Sequence, residues 1–260
     1  EEDLLKQDIR QMLTLSRWLI RVQAGEQPIT LSWNTGAVPL PKLAIAEVTV
    51  DGSGIKPSSD AVLDMTETSG VNVPANSKRH YEIAVVEKVT LTFEPGWNAF
   101  SLPLYPFDPA ATAMFGTDAS SQGERDRASR QLSSRGQTLF AKSIYKWQNP
   151  ADDQAGHYVN VERIRPLFGY WIYARDAETI GISGMSLSQD KFMPGLYPLW
   201  SFLGVSRTGD IPDIQPLTMP VWEWMGGMQR YRSLNHNAVL VPGAAYWFYV
   251  TEPVSAQPEE

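Results

Sequence analysis

"GYWIYA" at residues 169–174 and "AYWFYV" at residues 245–250 are near-copies of one hexapeptide. In an extended chain, alternate side chains point to opposite faces, so Tyr170 and Ile172 share one face and Trp171 and Tyr173 the other. Both faces are apolar, which places the strand centrally or under cover on both sides. Aromatic and β-branched side chains suit such a pleated, packed position. Two strands of this kind, far apart in the chain, raise the expectation of an internal repeat.

Further matches lie upstream of each hexapeptide. "SIYKWQ" (143–148) matches "PVWEWM" (220–225), and "GHYVN" (156–160) matches "MQRYRSL" (228–234). "FEPGWNAFSLPL" (93–104) is set against "FMPGLYPLWSFLG" (192–204) through the shared F-x-P-G. The separations are 99 residues (Phe93 to Phe192), 77 (Ser143 to Pro220), 73 (Tyr158 to Tyr231) and 76 (Tyr170 to Tyr246). The last three agree closely. The larger first one implies an insertion early in the first copy, visible as the polar, Arg- and Ser-rich stretch 108–137. Asp108 and Pro109 form a plausible N-cap and N1 pair for a helical turn over "PAATAMF", with surface loop beyond.

The expected organisation is all-β. Residues 1–87 read as an immunoglobulin- or fibronectin-III-like sandwich. Residues 88–183 and 184–252 read as two diverged copies of one β-unit packed with pseudo-two-fold symmetry, and 253–260 as a solvated tail. The first part has short apolar runs "RWLIRVQA", "ITLSWNT", "LAIAEVTVDG", "AVLDMTE" and "RHYEIAVVE", separated by Pro, Gly, Ser and Asn clusters. "DLLKQDIRQMLTLSR" is patterned for a helix. No Pro/Gly linker marks the 87/88 boundary, so no flexible hinge is expected there.

Composition narrows the function. Hydrophobic residues make up 43% of the 260, enough for a core. A net charge of −7 argues against nucleic acid as a partner, and no apolar run is long enough to span a membrane. With no cysteine, disulfides, thiol catalysis and thiolate metal sites are excluded. The opening "EEDLLKQ" has no apolar leader and fits a chain after signal removal or a piece of a longer one.

The repeat resembles a module of large secreted and surface proteins of bacteria, in which a GWN-φ-φ-S-φ-P opening precedes a W-x-W-type strand and a closing GYW-φ-Y. Gly96-Trp97-Asn98, Ser101-Leu102-Pro103, Tyr145-Lys146-Trp147 and Gly169-Tyr170-Trp171 carry the likeness in the first copy. The second departs from it, with Leu196-Tyr197 in place of Trp-Asn and Ala245 in place of Gly. The N-terminal part is similar to immunoglobulin-like domains through "ITLSWNTGAVP" and "RHYEIAVVE". These resemblances imply accessory domains with no catalytic residues and no cofactor, in an extracellular, cell-surface or periplasmic setting. Expected partners are other domains or proteins of a surface assembly, or a polysaccharide.

Nothing in the residues points to catalysis. His80, His157 and His236 lie outside any recognised catalytic or metal motif. Asp152, Asp153, Glu162 and Glu223 are the carboxylates that an unfamiliar glycoside hydrolase would draw on. "DGSG" (51–54) and "GDIPD" (209–213) lack calcium-loop spacing and read as a hairpin turn and a solvated loop, so no metal is expected. Arg125, Arg127, Arg130 and Arg135 sit in the insertion among acids that dilute them, and read as a solvated face.

The alternative to a structural or adhesive segment is a carbohydrate-binding module, with Trp147, Tyr158, Trp222, Trp224 and Tyr231 as the stacking residues. Trp222 and Trp224 share a strand face and must be in or out together. Because the second copy has Leu196 and Tyr197 where the first has Trp97 and Asn98, Trp97 is expected to be a buried core filler. Asn98 is expected to bond nearby backbone.

Overall fold

The computed structural model describes residues 17–34, 42–51, 54–115, 143–149, 156–187, 193–213 and 217–253, with residues 51 and 54–61 described by backbone alone. The chain is all-β, with antiparallel sheets and one short helix among the described residues. The opening helical pattern, the arginine cluster and Asp152 and Asp153 lie outside the described residues.

The first strands are β1 (Trp18–Gln23), β2 (Ile29–Ser32), β3 (Leu43–Asp51), β4 (Gly54–Asp64), β5 (Gly70–Val73) and the 16-residue β6 (Lys78–Phe93). Each apolar run picked out in the first part of the sequence overlaps one of them, while β5 lies between the runs. β6 pairs with β1 on one side and β3 on the other, and β4 extends the sheet beyond β3. The β2–β5 pair packs over one face, closing a core of Val22, Ile45, Met65, Val73 and Tyr81. Two layers around an apolar interior follow from the alternation in these strands.

The chain continues through β7 (Gly96–Phe100), β8 (Leu104–Pro106), α1 (Ala111–Phe115), β9 (Tyr145–Gln148), β10 (His157–Asn160), β11 (Tyr170–Ala174) and β12 (Glu178–Ser186). The Asp108 carboxylate accepts the Ala110 N–H at 3.0 Å just before α1, as expected of its capping role. β12 lies along the second half of β6, so residues 87 and 183 face the neighbouring strand inside one ladder (Ser183 opposite Lys88, Gly184 opposite Glu87). At ~3.3 Å per residue β6 extends for roughly 50 Å. Tyr81 belongs to the first core, whereas Leu91 and Phe93 belong to a second one with Phe100, Phe115 and Tyr170. A single strand thus ties the two parts together.

The last strands are β13 (Leu199–Leu203), β14 (Gly209–Asp210), β15 (Leu217–Met225), β16 (Arg230–Leu234), β17 (Val239–Leu240) and β18 (Tyr246–Val250). The order β7-β11-β9-β10 in one four-stranded sheet is that of β13-β18-β15-β16 in the other. Registers agree residue by residue. Trp171 faces Tyr145 as Trp247 faces Trp222, and Tyr158 faces Trp147 as Tyr231 faces Trp224. The spacings of 77, 73 and 76 residues are therefore those of the strands. Buried Tyr170 and Tyr246 also match. Each hydroxyl accepts the N–H of the residue five earlier (Arg165 at 2.8 Å, Val241 at 2.9 Å) and donates to that residue's C=O.

The first landmark needs correcting. Trp97 faces Tyr173, and the residue facing the equivalent Tyr249 is Trp200. Leu199 (φ 69°) stands where Gly96 (φ 103°) stands, and Ser201 stands for Asn98. Both polar residues are buried and bond the backbone four residues earlier. Asn98 accepts from Glu94 N–H at 3.0 Å and donates to Glu94 C=O at 2.7 Å, while Ser201 does the same with Tyr197 at 3.1 and 3.3 Å. The counterpart of Gly-Trp-Asn is thus Leu199-Trp200-Ser201, and Leu196-Tyr197 precedes it. The Pro-Gly dipeptide misled because the later turn uses Pro198 and puts leucine, not glycine, at positive φ.

Asn98 behaves as expected, but Trp97 does not. It is 40% exposed on β7, at the sheet edge, with its ring edge-on to Tyr173 at 5.5 Å. Its backbone is what is held. Gln229 accepts the Trp97 N–H (2.9 Å), and its amide and the Trp224 indole both donate to the Trp97 C=O (2.9 and 2.7 Å).

Candidate functional site

The two four-stranded sheets turn one face each toward separate cores, one around Phe100 and Ile172, the other around Leu203 and Phe248. Alternation sends the intervening residues to the opposite faces, and these are aromatic: Trp147 and Trp171 from one sheet, Trp222, Trp224 and Trp247 from the other. The aromatic faces meet. Contacts occur in equivalent pairs across the join. Trp147 meets Trp247 at 5.2 Å and 79°, and Trp224 meets Trp171 at 5.2 Å and 74°. The Trp147 indole donates to Trp200 C=O (3.1 Å) as the Trp224 indole donates to Trp97 C=O. Ser101 N–H bonds Gly243 C=O (2.9 Å), and Gly204 N–H bonds Leu167 C=O (2.8 Å).

One position departs from the pairing. Phe202 lies stacked between Trp171 (5.5 Å, 18°) and Trp247 (4.6 Å, 20°), while the equivalent residue in the other sheet is Ala99. Gly169 accommodates that ring, since a Cβ there would come within 2.6 Å of it; the equivalent position facing Ala99's side of the join is Ala245.

Beside this join lies a cavity of about 480 Å³ lined by Trp147, Tyr158, Trp200, Trp222, Tyr231 and Trp247. This volume is in the range of small-molecule sites. Four of the five candidates from the sequence (Trp147, Tyr158, Trp222 and Tyr231) line it. Trp222 and Trp224 are both half-buried, in keeping with their shared face, but Trp224 is packed against Trp171 and Tyr231 instead. Trp200 and Trp247 were not among the candidates. Trp247 sits in the strand read as core, and only the register reveals Trp200 as the partner of Trp97.

The rings stand in several planes. Trp247 is close to perpendicular to Trp147 (79°, 5.2 Å), Tyr158 (79°, 6.5 Å) and Trp200 (88°, 6.1 Å), and Trp147 meets Tyr158 at 70° and 5.2 Å. Edge-to-face contacts of this kind are favourable because the positive ring edge meets the negative ring face. Gly156, two residues before Tyr158, lets the Trp147 ring lie over the backbone, where any Cβ would overlap it. At the equivalent place in the other sheet stands Gln229, whose side chain fills the space against Gly96 and Trp97. On the Trp200 side the corresponding space over Gly156 is taken by the Trp147 ring.

Polar chemistry in the cleft is sparse. Burial pushes the Tyr158 phenol up to about 12, with the neighbouring Tyr231 phenol adding to the rise, and burial also raises Tyr231. The indole N–H groups of Trp171 and Trp247 are buried, and the phenols of Tyr158 and Tyr231 are the polar groups beside them. Glu223, a candidate acid from the sequence, is paired with Arg232. His157 and His236 are exposed and His80 half-buried. Among the described residues no group of three or more His, Asp or Glu is placed to hold a metal, and no helix is long and apolar enough to cross a membrane.

No family model, curated protein or solved structure matches this chain.

Proposed function

We propose that this chain is a non-catalytic structural or adhesive segment of a bacterial extracellular or cell-surface protein. It combines an immunoglobulin-like sandwich with two diverged copies of one β-unit, packed about a pseudo-two-fold axis, and it presents an aromatic cleft to a partner. The observation that carries the reading is the doubling of contacts across the join: Trp147 with Trp247 and Trp224 with Trp171, at the same separation. A unit with one aromatic face cannot leave it in water, and a second copy covers it. β6 then fuses the pair to the sandwich in a continuous ladder, which suits a spacer that must hold its shape.

Cooperativity tests the structural part. Thermal unfolding followed by far-ultraviolet circular dichroism and by tryptophan emission should give one coincident transition. Two separated transitions would show that the parts are independent and the spacer reading mistaken.

Carbohydrate binding is the second reading, favoured by the rings of Trp200, Tyr158 and Tyr231, each more than a third exposed at the cleft. A glycan array without hits, together with tryptophan emission unmoved by soluble polysaccharides, would sink it.

A further inference from the structure

We propose that the aromatic cleft is a cage for a trimethylammonium group, a cation held by ring faces. The inference rests on reading the cleft as a recognition site and names its ligand class.

The lining decides between a sugar and a cation. All six lining residues are aromatic. None is a carboxylate, a carboxamide or a basic group. A sugar entering the cleft would leave water with its hydroxyls facing two phenols and a few indole N–H groups, and the Trp147 N–H is already given to Trp200 C=O. Hydroxyls desolvated without partners are unfavourable. A quaternary ammonium has no N–H to satisfy, and it is attracted to any ring face within about 6 Å of the ring centroid.

Shape points the same way. A run of pyranoses is best met by rings that offer their faces in one plane. Here Trp147, Tyr158 and Trp200 stand at 79°, 79° and 88° to Trp247, with centroids 5.2, 6.5 and 6.1 Å from it. Walls standing steeply to Trp247, and at 70° between Trp147 and Tyr158, fit a rounded group bearing methyls on several sides. The net charge of −7 favours a cation over an anion in the same place. Gly156 lets the Trp147 ring take its place in the wall, where any Cβ would overlap it.

The test compares choline with 3,3-dimethyl-1-butanol, which has the same shape with carbon in place of the charged nitrogen. Each is titrated into the 260-residue chain at constant ionic strength and read by tryptophan emission and calorimetry. Choline should bind saturably, and the neutral isostere at least about tenfold more weakly, since the cation–ring attraction is lost. Trp200→Leu and Tyr158→Leu, both at exposed rings, should each weaken choline by about tenfold while the far-ultraviolet spectrum is unchanged. Co-sedimentation with phosphatidylcholine vesicles but not phosphatidylglycerol vesicles would identify a lipid as the carrier of the group, and choline binding without it a soluble carrier.

Equal affinity for choline and the isostere would overturn the proposal and leave an apolar slot. Saturable binding of cello- or chito-oligosaccharides, lost in Trp200→Leu, with no response to choline, would overturn the cation and keep the cleft as a recognition site. No binding of any of these would overturn both.

Discussion

The stack of Phe202 between Trp171 and Trp247 can be taken apart by a double-mutant cycle whose outcome depends on the equivalence of the two sheets. Phe202→Ala removes a 3%-exposed ring from the centre of the join, a change that costs about 3–5 kcal/mol for a buried phenylalanine. Gly169→Ala adds a Cβ within 2.6 Å of the same ring, and overpacking of this kind costs about 1–3 kcal/mol. Gly169 does not lie at positive φ, so the added methyl acts through that overlap and not through the backbone. The double variant puts alanine at both places, the pair that Ala99 and Ala245 form at the equivalent position. The methyl that clashed now has the vacated ring space to occupy. The double variant should therefore be less destabilised than the two single losses summed, by about 1–3 kcal/mol. Because one mutation could remove much of a total stability of about 5–15 kcal/mol, urea unfolding is best run in the cold, followed by tryptophan emission. Additivity within about 0.5 kcal/mol would refute the reasoning. So would a Gly169→Ala chain as stable as the parent.

Asn98→Ala should cost about 2–3 kcal/mol in the same unfolding assay, because it strips partners from the N–H and C=O of Glu94 beside a 5%-exposed position; Asn98→Ser should recover part of it, since Ser201 makes the same two kinds of bond with Tyr197. Gly156→Ala should displace the Trp147 ring from the cleft and change tryptophan emission while far-ultraviolet circular dichroism stays constant; an unchanged emission spectrum would count against the placement of that ring. Tyr105, Tyr158 and Tyr246 are each pushed up to about 12, chiefly by burial, and an unfolded phenol titrates near about 10. Between these values the folded chain binds more protons than the unfolded one, so this contribution to stability is complete below pH ~10 and is lost as pH rises toward ~12. Phenolate absorbance should accordingly show a late-titrating class of tyrosines that collapses with the fold, and stability unchanged through that range would contradict their burial.

Legibility in the sequence followed the range of the physics. Alternation is local, so "GYWIYA" and "AYWFYV" could be read as strands with two apolar faces. Equal spacing between landmarks then located β9, β10 and β11 against β15, β16 and β18 before any pairing was known. Where a landmark depended on a turn residue the reading slipped. Glycine is the common solution for a positive φ, but the second sheet uses Leu199, and the shift of a few residues turned Trp97 into an apparent core filler. The fusion of the parts along β6 was hidden for another reason. "VVEKVT" loses its alternation at Glu87-Lys88, and only its pairing with β12, some ninety residues later, shows that the strand continues.

The cleft tests the limit of pattern reading more sharply. Alternation shows that Trp147, Trp222 and Trp224 lie on aromatic faces, but it cannot say which part of a face meets its partner and which part stands open. That is settled by small asymmetries between otherwise equivalent halves. Phe202 in place of Ala99 fills the middle of the join, Gln229 closes one side by bonding the Trp97 backbone, and Gly156 admits the Trp147 ring on the other. An exact two-fold would have produced two identical sides. The departures from it occur at residues unremarkable in the sequence (an alanine, a glycine, a glutamine), and they decide that Trp200 faces the cleft while Trp97 is clipped to the neighbouring hairpin. Where two sheets share strand order and register, an opening is to be sought where they differ, because the features they share are already committed to holding each other.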